Sequence, residues 1–253
     1  MTTFLRPLVI LIGLCAAWYA VVAITSLPHF ILPDPIRVAR VLVERLDFLL
    51  LNAAITLAEI LIGLALGTLL GCASALLLAH FRPARRWLLP ILVISQAIPV
   101  FAVAPLLVIW FGYGIGSKVA AASMIIFFPI TSAFFDGLRR TERDWIDLAR
   151  MMGASPWSIL VHLRVPAALP SLASGLRVAV VVAPIGAGIG EWVGASAGLG
   201  YVMLQANARM QIDLMFAALF VLAVIAIVLY VAVDRLLRWL IPWQPITAPD
   251  EDD

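Results

Sequence analysis

Long uninterrupted apolar stretches constrain this chain more than any other feature of its sequence. A helix needs about 20 apolar residues to cross the hydrocarbon core of a membrane. Six stretches have roughly this length: residues 8–27, 53–79, 88–111, 119–137, 172–190 and 214–234. The composition agrees, because 64% of the 253 residues are hydrophobic and only 13% are charged, against about 25% in ordinary soluble domains. The sequence therefore predicts an all-α, polytopic membrane protein with about six transmembrane helices in a single domain.

Prolines interrupt the middle of this pattern. Pro90, Pro99 and Pro105 fall in the third stretch, and Pro129 falls in the fourth. Proline at such a depth frees backbone carbonyl groups, which neighbouring helices or a wet cavity must satisfy. We therefore expect kinked helices in this part of the chain.

The cations of the connecting segments predict the orientation. With the N-terminus in the cytoplasm, the inner segments hold 11 arginines: Arg6, Arg82, Arg85, Arg86, Arg139, Arg140, Arg143, Arg150, Arg164, Arg235 and Arg238. The outer segments hold 5 cations: Arg37, Arg40, Arg45, Lys118 and Arg209. Cytoplasmic loops carry the excess of Arg and Lys in membrane proteins. Both termini and the loop 138–171 are therefore predicted to be cytoplasmic.

The N-terminal part, residues 1–49, is predicted to hold the first span and an outer amphipathic helix. Asp34 and Pro35 form a favourable helix start, and Arg37, Arg40 and Glu44 follow at helical spacing. This helix is either an interfacial anchor or part of a docking surface for an outside partner. Residues 50–240 form the core, and residues 241–253 form a cytoplasmic tail.

The sequence contains few groups that could perform chemistry. It has no phosphate-binding G-x-x-x-x-G-K-[ST] loop, no His/Cys cluster with metal spacing and no dense basic patch for nucleic acid. Glu59 is the clearest charge within a span, which makes it a functional candidate, although it lies near the outer end and could face the interface. We therefore expect neither an enzyme nor a cofactor site, and any energy for transport has to come from another subunit.

The loop 138–171 carries a distinctive pattern. Trp145, Leu148, Ala149 and Met152 lie on one helical face, and Gly153 is suited to end that helix. Ser155 and Pro156 then begin a second helix, which is predicted to run only to Val165, because Pro166 and Pro170 follow.

The second of these helices is apolar although its loop is predicted to be cytoplasmic. Six of the nine residues from Trp157 to Val165 are apolar. A helix this short is marginal alone and must pack on something. It lies either on the membrane or its own bundle, or in a groove of a cytoplasmic partner with Trp157 as the anchor.

The segment Asp147-Leu-Ala-Arg-Met-Met-Gly153, followed after nine residues by Leu163-Arg-Val-Pro166, resembles the EAA loop of ATP-binding-cassette (ABC) importer permeases. Asp147 replaces the Glu of that pattern, Leu148 its first Ala, Leu163 its Ile and Val165 its Leu. The spacing and the Gly and Pro positions agree. The resemblance extends from about residue 50 to the C-terminus and includes Ser174-Gly-Leu-Arg177.

This resemblance implies the type I ABC importer permease architecture, in a bacterial inner membrane. It implies a second permease copy, most simply in a homodimer, a dimer of ABC ATPase subunits that binds ATP and Mg, and a periplasmic or extracellular substrate-binding protein. The 155–165 helix would be the coupling helix seated on the ATPase. The residues implied in coupling are Asp147, Ala149, Gly153, Ser155, Pro156, Trp157, Ile159, Leu160, Leu163 and Pro166.

Small residues at every fourth position mark two helices for close packing. Gly63, Gly67 and Gly71 form one such stripe. Gly186, Gly190, Gly194 and Gly198 form a second stripe, which serves either packing or an outer gate. The candidate residues of the translocation path are Glu59, Gln96, Glu191 and Trp192.

Two segments narrow the cargo by resemblance. The run Glu191 to Tyr201 and the run Ile241-Pro-Trp-Gln244 are similar to the nitrate, sulfonate and taurine branch of these permeases. Within that branch they look most like permeases for pyrimidine precursors of thiamine. The expected cargo is a hydroxymethylpyrimidine-type precursor, and otherwise a sulfonate, taurine or nitrate.

Two other functions compete with this interpretation. One is an ion-coupled secondary carrier that uses Glu59 or Glu191. The other is a membrane enzyme acting on lipid, for which Asp136 with Arg139 or Arg140 is the best polar pair at the interface.

Overall fold

The computed structural model describes residues 2–25 and 28–243, with the backbone alone at residues 2–8 and 10–12. These residues form eleven α-helices and no strand, so the all-α class is confirmed. The helices are α1 (Thr2–Thr25), α2 (Pro35–Glu44), α3 (Leu46–His80), α4 (Arg82–Ser95), α5 (Val100–Phe111), α6 (Ile115–Arg139), α7 (Arg143–Met151), α8 (Pro156–Ile159), α9 (Val165–Gly194), α10 (Leu199–Ala208) and α11 (Ile212–Leu240). The tail from Gln244 onward and the side chain of Arg6 lie outside the described residues.

Four continuous helical runs of the described chain are long and apolar enough to cross a membrane. They are Leu46–His80, Ile115–Arg139, Pro156–Gly194 and Ile212–Leu240. The pair α4 and α5 adds a fifth if it is counted as one span. In α1, the apolar part with described side chains is Gly13–Thr25, which is shorter than a span.

The third predicted span is broken rather than kinked, which corrects the sequence-based expectation. The axes of α4 and α5 meet at 102°. Pro99 stands in an extended conformation immediately before α5 and has no N–H to continue the ladder from α4. Pro90 and Pro105 lie inside their helices without ending them.

The expectation that the helix after Ser155 stops at Val165 is wrong. A π-helical turn, Leu160–Arg164, joins α8 to α9, and the N–H of Val165 donates to the carbonyl of Leu160. The wider π turn shifts the hydrogen-bond register just before Pro166, and Pro170 is accommodated inside α9. The helix expected to be short is thus the first part of the long run Pro156–Gly194.

The fold divides into two compact units. The first contains the described residues up to Ala58 and the segment Ala195–Ile225. Its core consists of Val38, Leu49, Ala53, Leu199, Val202, Ala217 and Ala218. As predicted, the carboxylate of Asp34 caps α2 by accepting from the N–H of Arg37 at 2.8 Å.

Within this first unit, α3 also caps α10. Gly198 precedes α10 with φ at 112° and has no side chain to offer. The amide oxygen of Asn52 accepts from the Gly198 N–H, and the hydroxyl of Thr56 accepts from the Leu199 N–H, both at 2.8 Å. These buried polar side chains therefore satisfy helix-end donors that water would otherwise bind.

The second unit contains Glu59–Gly194 and the described residues from Ala226 onward. Its centre is α6, which lies between α3 and α9. A Cβ atom added to Gly63 would stand 2.7 Å from the Cβ of Ala122, and one added to Gly186 would stand 2.7 Å from the Ala122 Cα. The hydroxyl of Ser123 donates to the Gly63 carbonyl at 3.3 Å. Gly63 and Gly186 therefore permit close helix contact, as the packing alternative predicts, whereas Gly198 lies beyond the end of α9 and is not part of its stripe.

Candidate functional site

The turn between α7 and α8 has the geometry that its sequence predicts. Gly153 has φ at 79°, a conformation that glycine adopts without steric cost. Its N–H donates to the Arg150 carbonyl at 2.9 Å, and the Ala154 N–H donates to the Ala149 carbonyl at 3.0 Å. These two bonds make a Schellman motif, which ends α7 sharply. Ala149 contributes to this turn through its backbone carbonyl group.

The next helical run begins two residues later, at the predicted position. The Ser155 hydroxyl accepts from the Ser158 N–H at 3.2 Å, and Pro156 occupies the first helical position. Both features suit a helix start, because Pro lacks the N–H that would be unpaired there. The two caps fix the position of Trp157 relative to α7.

The residues that follow divide between an exposed and a buried face. Trp157 is 60% exposed, and one edge of its ring meets the ring of His80 at 5.4 Å between centroids. Ile159 and Leu160 are buried, and Leu160 packs with Leu78 and Phe135 in the second unit. Trp157 is thus available to a partner, whereas Ile159 and Leu160 anchor the run to the core.

The exposed face continues onto α7, where only Ile146 is buried. Large apolar side chains are exposed along this surface: Trp145, Leu148, Met151, Met152 and Trp157. We name these five residues the apolar loop face. Several large exposed apolar residues on neighbouring segments mark interaction sites more often than singly scattered ones do.

The remaining residues implied in coupling have smaller roles in this geometry. Asp147 is exposed and accepts from the Arg150 guanidinium at 2.8 Å, a surface pair worth little to stability. Leu163 lines a small cavity with Trp145 and Arg140. Pro166 is exposed at the second position of α9. Asp147 therefore remains accessible to a cationic group of a partner.

A buried charge cluster lies in the second unit, where α3, α6 and α9 meet. The ammonium of Lys118 is 3.2 Å from a carboxylate oxygen of Glu59, with side-chain exposures of 8% and 1%. Glu191 is also fully buried, and its carboxyl group adjoins that of Glu59. We name Glu59, Lys118 and Glu191 the charge cluster. Such charges are retained within a membrane helix bundle only when they are paired.

The prediction that Lys118 is a cation of an outer loop, and not a site residue, is wrong. It is buried inside α6 and is the only lysine of the chain. Gly190 makes room for it, since a Cβ atom there would stand 2.8 Å from the Lys118 Cα. The sequence signal for Lys118 as a site residue is that it is a single lysine at the border of an apolar span, opposite a glycine stripe.

Gln96 lies at a different place in the second unit. It is exposed at the break between α4 and α5, where it lines a cavity of about 830 Å³. Ser95 and Ser123 are further polar groups of this cavity, whose lining includes no charged side chain. Glu59, Glu191 and Trp192 do not line it. The structure thus brings two of the four path candidates together in the charge cluster and leaves Gln96 apart.

Two further observations concern chemistry. Within residues 28–243 and the described part of α1, no group of three His, Cys, Asp or Glu side chains is placed to hold a metal ion. Asp136 forms no ion pair with Arg139 or Arg140 among the described side chains, and Arg139 instead lies over the Phe135 ring. The lipid-enzyme alternative therefore lacks its polar pair.

Sequence comparison matches residues 63–244 to the family described as "Binding-protein-dependent transport system inner membrane component". The chain is 54% identical to a "Probable ABC transporter permease protein" of Haemophilus influenzae, covering 92% of this chain and 96% of the relative. It is 39% identical to the formylaminopyrimidine transport permease protein ThiX of Halalkalibacterium halodurans, covering 95% and 96%. It is 38% identical to the riboflavin transport system permease protein RibX of Chloroflexus aurantiacus, covering 93% and 89%.

Structural comparison finds a solved ABC transporter chain with the same fold as this chain. A chain in an inward-facing structure of the MetNI methionine ABC transporter superposes with a TM-score of 0.67 at 22% sequence identity. The match covers 78% of this chain and 98% of that chain. The type I ABC importer permease architecture is therefore confirmed.

Proposed function

This chain belongs to the family of binding-protein-dependent transport system inner membrane components, and on that premise we propose that it forms the translocation path of an ATP-driven importer. It is a multi-pass permease subunit of an ABC transporter and is not itself catalytic. Membership implies a partner ATPase and a substrate-binding protein. The ion-coupled carrier alternative receives no support from any relative.

The apolar loop face is the observation that carries the proposed coupling. It presents Trp157 beside a helix start fixed by Ser155 and Pro156. Tryptophan is among the residues that most often dominate binding energy at protein interfaces. We propose that this face seats on the ATPase, with Asp147 offering a carboxylate at its edge.

The continuous run from Pro156 to Gly194 supplies the mechanical connection. Trp157 stands at one end of the run, and Glu191, a member of the charge cluster, stands near the other. Ile159 and Leu160 hold the first turns to the core, so that a displacement of Trp157 moves the run as a whole. ATP binding then shifts the bundle between two states, because the ATPase contacts differ in energy between them.

The substitution Trp157→Asp tests this proposal. It removes the apolar anchor without entering the core, so membrane insertion should be unchanged. We expect association with the ATPase and ATP-driven uptake in proteoliposomes to fall by roughly thirtyfold or more, as for other interfacial tryptophans. Trp239→Asp is a matched control, since Trp239 is exposed but lies outside the apolar loop face. Unchanged uptake in Trp157→Asp would overturn the coupling assignment.

Several other features belong to the same proposal. The chain functions as a homodimer in the bacterial inner membrane, with both termini in the cytoplasm and residues 1–253 forming one transmembrane domain. ATP and Mg bind only to the partner ATPase dimer, and a periplasmic or extracellular protein delivers the cargo. The family relationship supports this assembly, and the Arg distribution supports the orientation.

We further propose that the cargo is a hydroxymethylpyrimidine-type precursor of thiamine. The cavity at Gln96 supports a neutral, hydrogen-bonding cargo, because its lining offers amide and hydroxyl groups but no cation. A sulfonate or nitrate would bring a negative charge, and zwitterionic taurine two opposite charges, that this lining does not balance. The relative named for formylaminopyrimidine transport supports the same choice.

Uptake competition tests the cargo. Labelled hydroxymethylpyrimidine uptake by cells carrying the intact importer should be inhibited by excess unlabelled compound but not by taurine or riboflavin. Gln96→Leu should reduce uptake several-fold, since it removes one polar pair of about 1 kcal/mol while preserving size. Inhibition by taurine or riboflavin instead would reject the pyrimidine and select the corresponding class.

A further inference from the structure

A cavity of about 420 Å³ lies behind the apolar loop face, within the second unit. The end of α3, the start of α4, α7 and the run from Pro156 enclose it. Four arginines line it, namely Arg82, Arg85, Arg150 and Arg164, and no acidic side chain does. The cavity has the size of small-ligand sites, which span about 300–1,000 Å³.

The positive charge of this cavity is poorly balanced by the protein. The Nε of Arg164 is buried and has no hydrogen-bond acceptor, and the charges of Arg150 and Arg85 repel its guanidinium. Arg150 has one partner, the exposed Asp147, at 2.8 Å. An unpaired buried donor is destabilising, and more so when the group is charged.

The start of α4 adds to the imbalance. Arg82 and Arg85 lie in its first turn, which contains no acidic residue and whose preceding residue, Phe81, provides no side-chain cap. The amino end of a helix carries a partial positive charge, so cations there are unfavourable and anions are favourable. A negatively charged group between them would therefore stabilise both the amino end of α4 and the arginine side chains.

We propose that this cavity binds a phosphate-class oxyanion, supplied either as free phosphate or as the phosphoryl group of an anionic phospholipid. Guanidinium groups pair with phosphate oxygens through two parallel hydrogen bonds. Four arginines on three segments offer more donors than the two oxygens of a carboxylate accept, whereas a phosphoryl group accepts from several directions. A membrane-edge basic pocket of this kind also suits a lipid head group.

Occupancy has a structural consequence. The four arginines lie on α4, on α7 and on the π turn, so one anion ties these segments together behind Trp157. The bound anion would therefore hold the apolar loop face in place. Anion binding itself is independent of the proposed coupling, and only its effect on transport rests on that function.

Thermal unfolding of the purified full chain in a neutral detergent tests the site, with inorganic phosphate as the probe. At constant ionic strength, phosphate should raise the midpoint temperature of unfolding up to a plateau, whereas chloride should not raise it. Arg85→Gln and Arg164→Gln should each weaken the phosphate response at least about tenfold, as expected for a lost charged hydrogen bond. Arg86→Gln is the control, because it removes the same charge from the same helix turn without lining the cavity.

A second arm distinguishes the two sources. Nanodiscs of phosphatidylglycerol should stabilise the wild-type chain more than nanodiscs of phosphatidylcholine, and should abolish the phosphate response, if the lipid head group occupies the site. A phosphate response that persists in phosphatidylglycerol assigns the site to the free anion. No response to phosphate or to phosphatidylglycerol, or equal responses in Arg85→Gln, Arg164→Gln and Arg86→Gln, would overturn the proposal. Arg85→Gln keeps the test valid if Arg164→Gln fails to fold, since Arg85 is exposed.

Discussion

At the scale of single residues, the charge cluster is the place where a single substitution should destabilise the chain most. Lys118 pairs with the buried carboxylate of Glu59, whose other neighbour is the buried Glu191, and it depends on the space left by Gly190. Removing one partner of a buried pair leaves an uncompensated charge, which costs far more than the pair itself contributes. A single substitution in the charge cluster should therefore lower the free energy of unfolding more than the substitution of both partners does.

Lys118→Met tests this reasoning. The side chain keeps most of its volume but loses its charge, so the free energy of unfolding should fall by roughly 3–5 kcal/mol. Glu59→Gln in the same chain should restore a substantial part, because it removes the carboxylate that lost its partner. Thermal unfolding of the two variants and of Glu59→Gln alone completes the cycle. Equal and additive losses would show that the two residues are not coupled.

The same cycle bears on the role proposed for Glu59 in the translocation path. A purely structural pair should recover uptake together with stability in the double variant. If Glu59→Gln abolishes uptake while the chain remains stable and still binds its ATPase, the carboxylate belongs to the path. Uptake in proteoliposomes, measured on the same preparations, separates these two results.

At the scale of elements, the shape of the loop between α7 and α8 depends on Gly153. A Cβ atom there would meet nothing within 4 Å, so Gly153→Ala causes no clash. The cost comes only from the backbone, whose φ of 79° is unfavourable by about 1–2 kcal/mol for an L-residue. We expect ATP-driven uptake to fall roughly five- to thirtyfold as the docked loop becomes less populated.

A matched control separates the backbone effect from the loss of glycine as such. Gly114 precedes α6 with φ at −78° and is equally free of neighbours, so Gly114→Ala should leave uptake unchanged. Gly153→Pro should abolish coupling, because it also removes the N–H that bonds to the Arg150 carbonyl. Equal uptake in Gly153→Ala and Gly114→Ala would show that the loop conformation is unimportant.

The helix caps could be predicted from a few neighbouring residues. The features that depend on packing between distant parts of the chain could not. Asp34, Gly153 and Ser155 were identified correctly, because each cap is decided by a few adjacent residues. The break at Pro99 and the continuation through Pro166 were not, since the residues next to a proline do not determine whether the helix breaks there. The charge cluster joins residues that are far apart in sequence, and Glu59 and Glu191 were identified as candidates without Lys118, the partner of Glu59.

At the scale of the whole molecule, much apolar surface remains to be covered. The apolar windows of α3 and α11 are only 28% and 11% buried within one copy, as expected for helices that face lipid or a second copy. Lipid contact alone would require only an apolar surface. The cavity at Gln96, with its polar groups, is consistent with the proposed translocation path, which the proposed second copy would enclose.

Purification from native membranes in mild detergent tests this assembly. We expect native mass spectrometry to find two copies of this chain, of 27.4 kDa each, with two copies of an ABC ATPase. In Trp157→Asp the ATPase should be lost while the permease dimer persists, because Trp157 belongs to the surface proposed to bind the ATPase. Trp239→Asp should retain both. A different permease in place of the second copy would reject the homodimer, and an intact chain that purifies without any ATPase would contradict the coupling proposal itself.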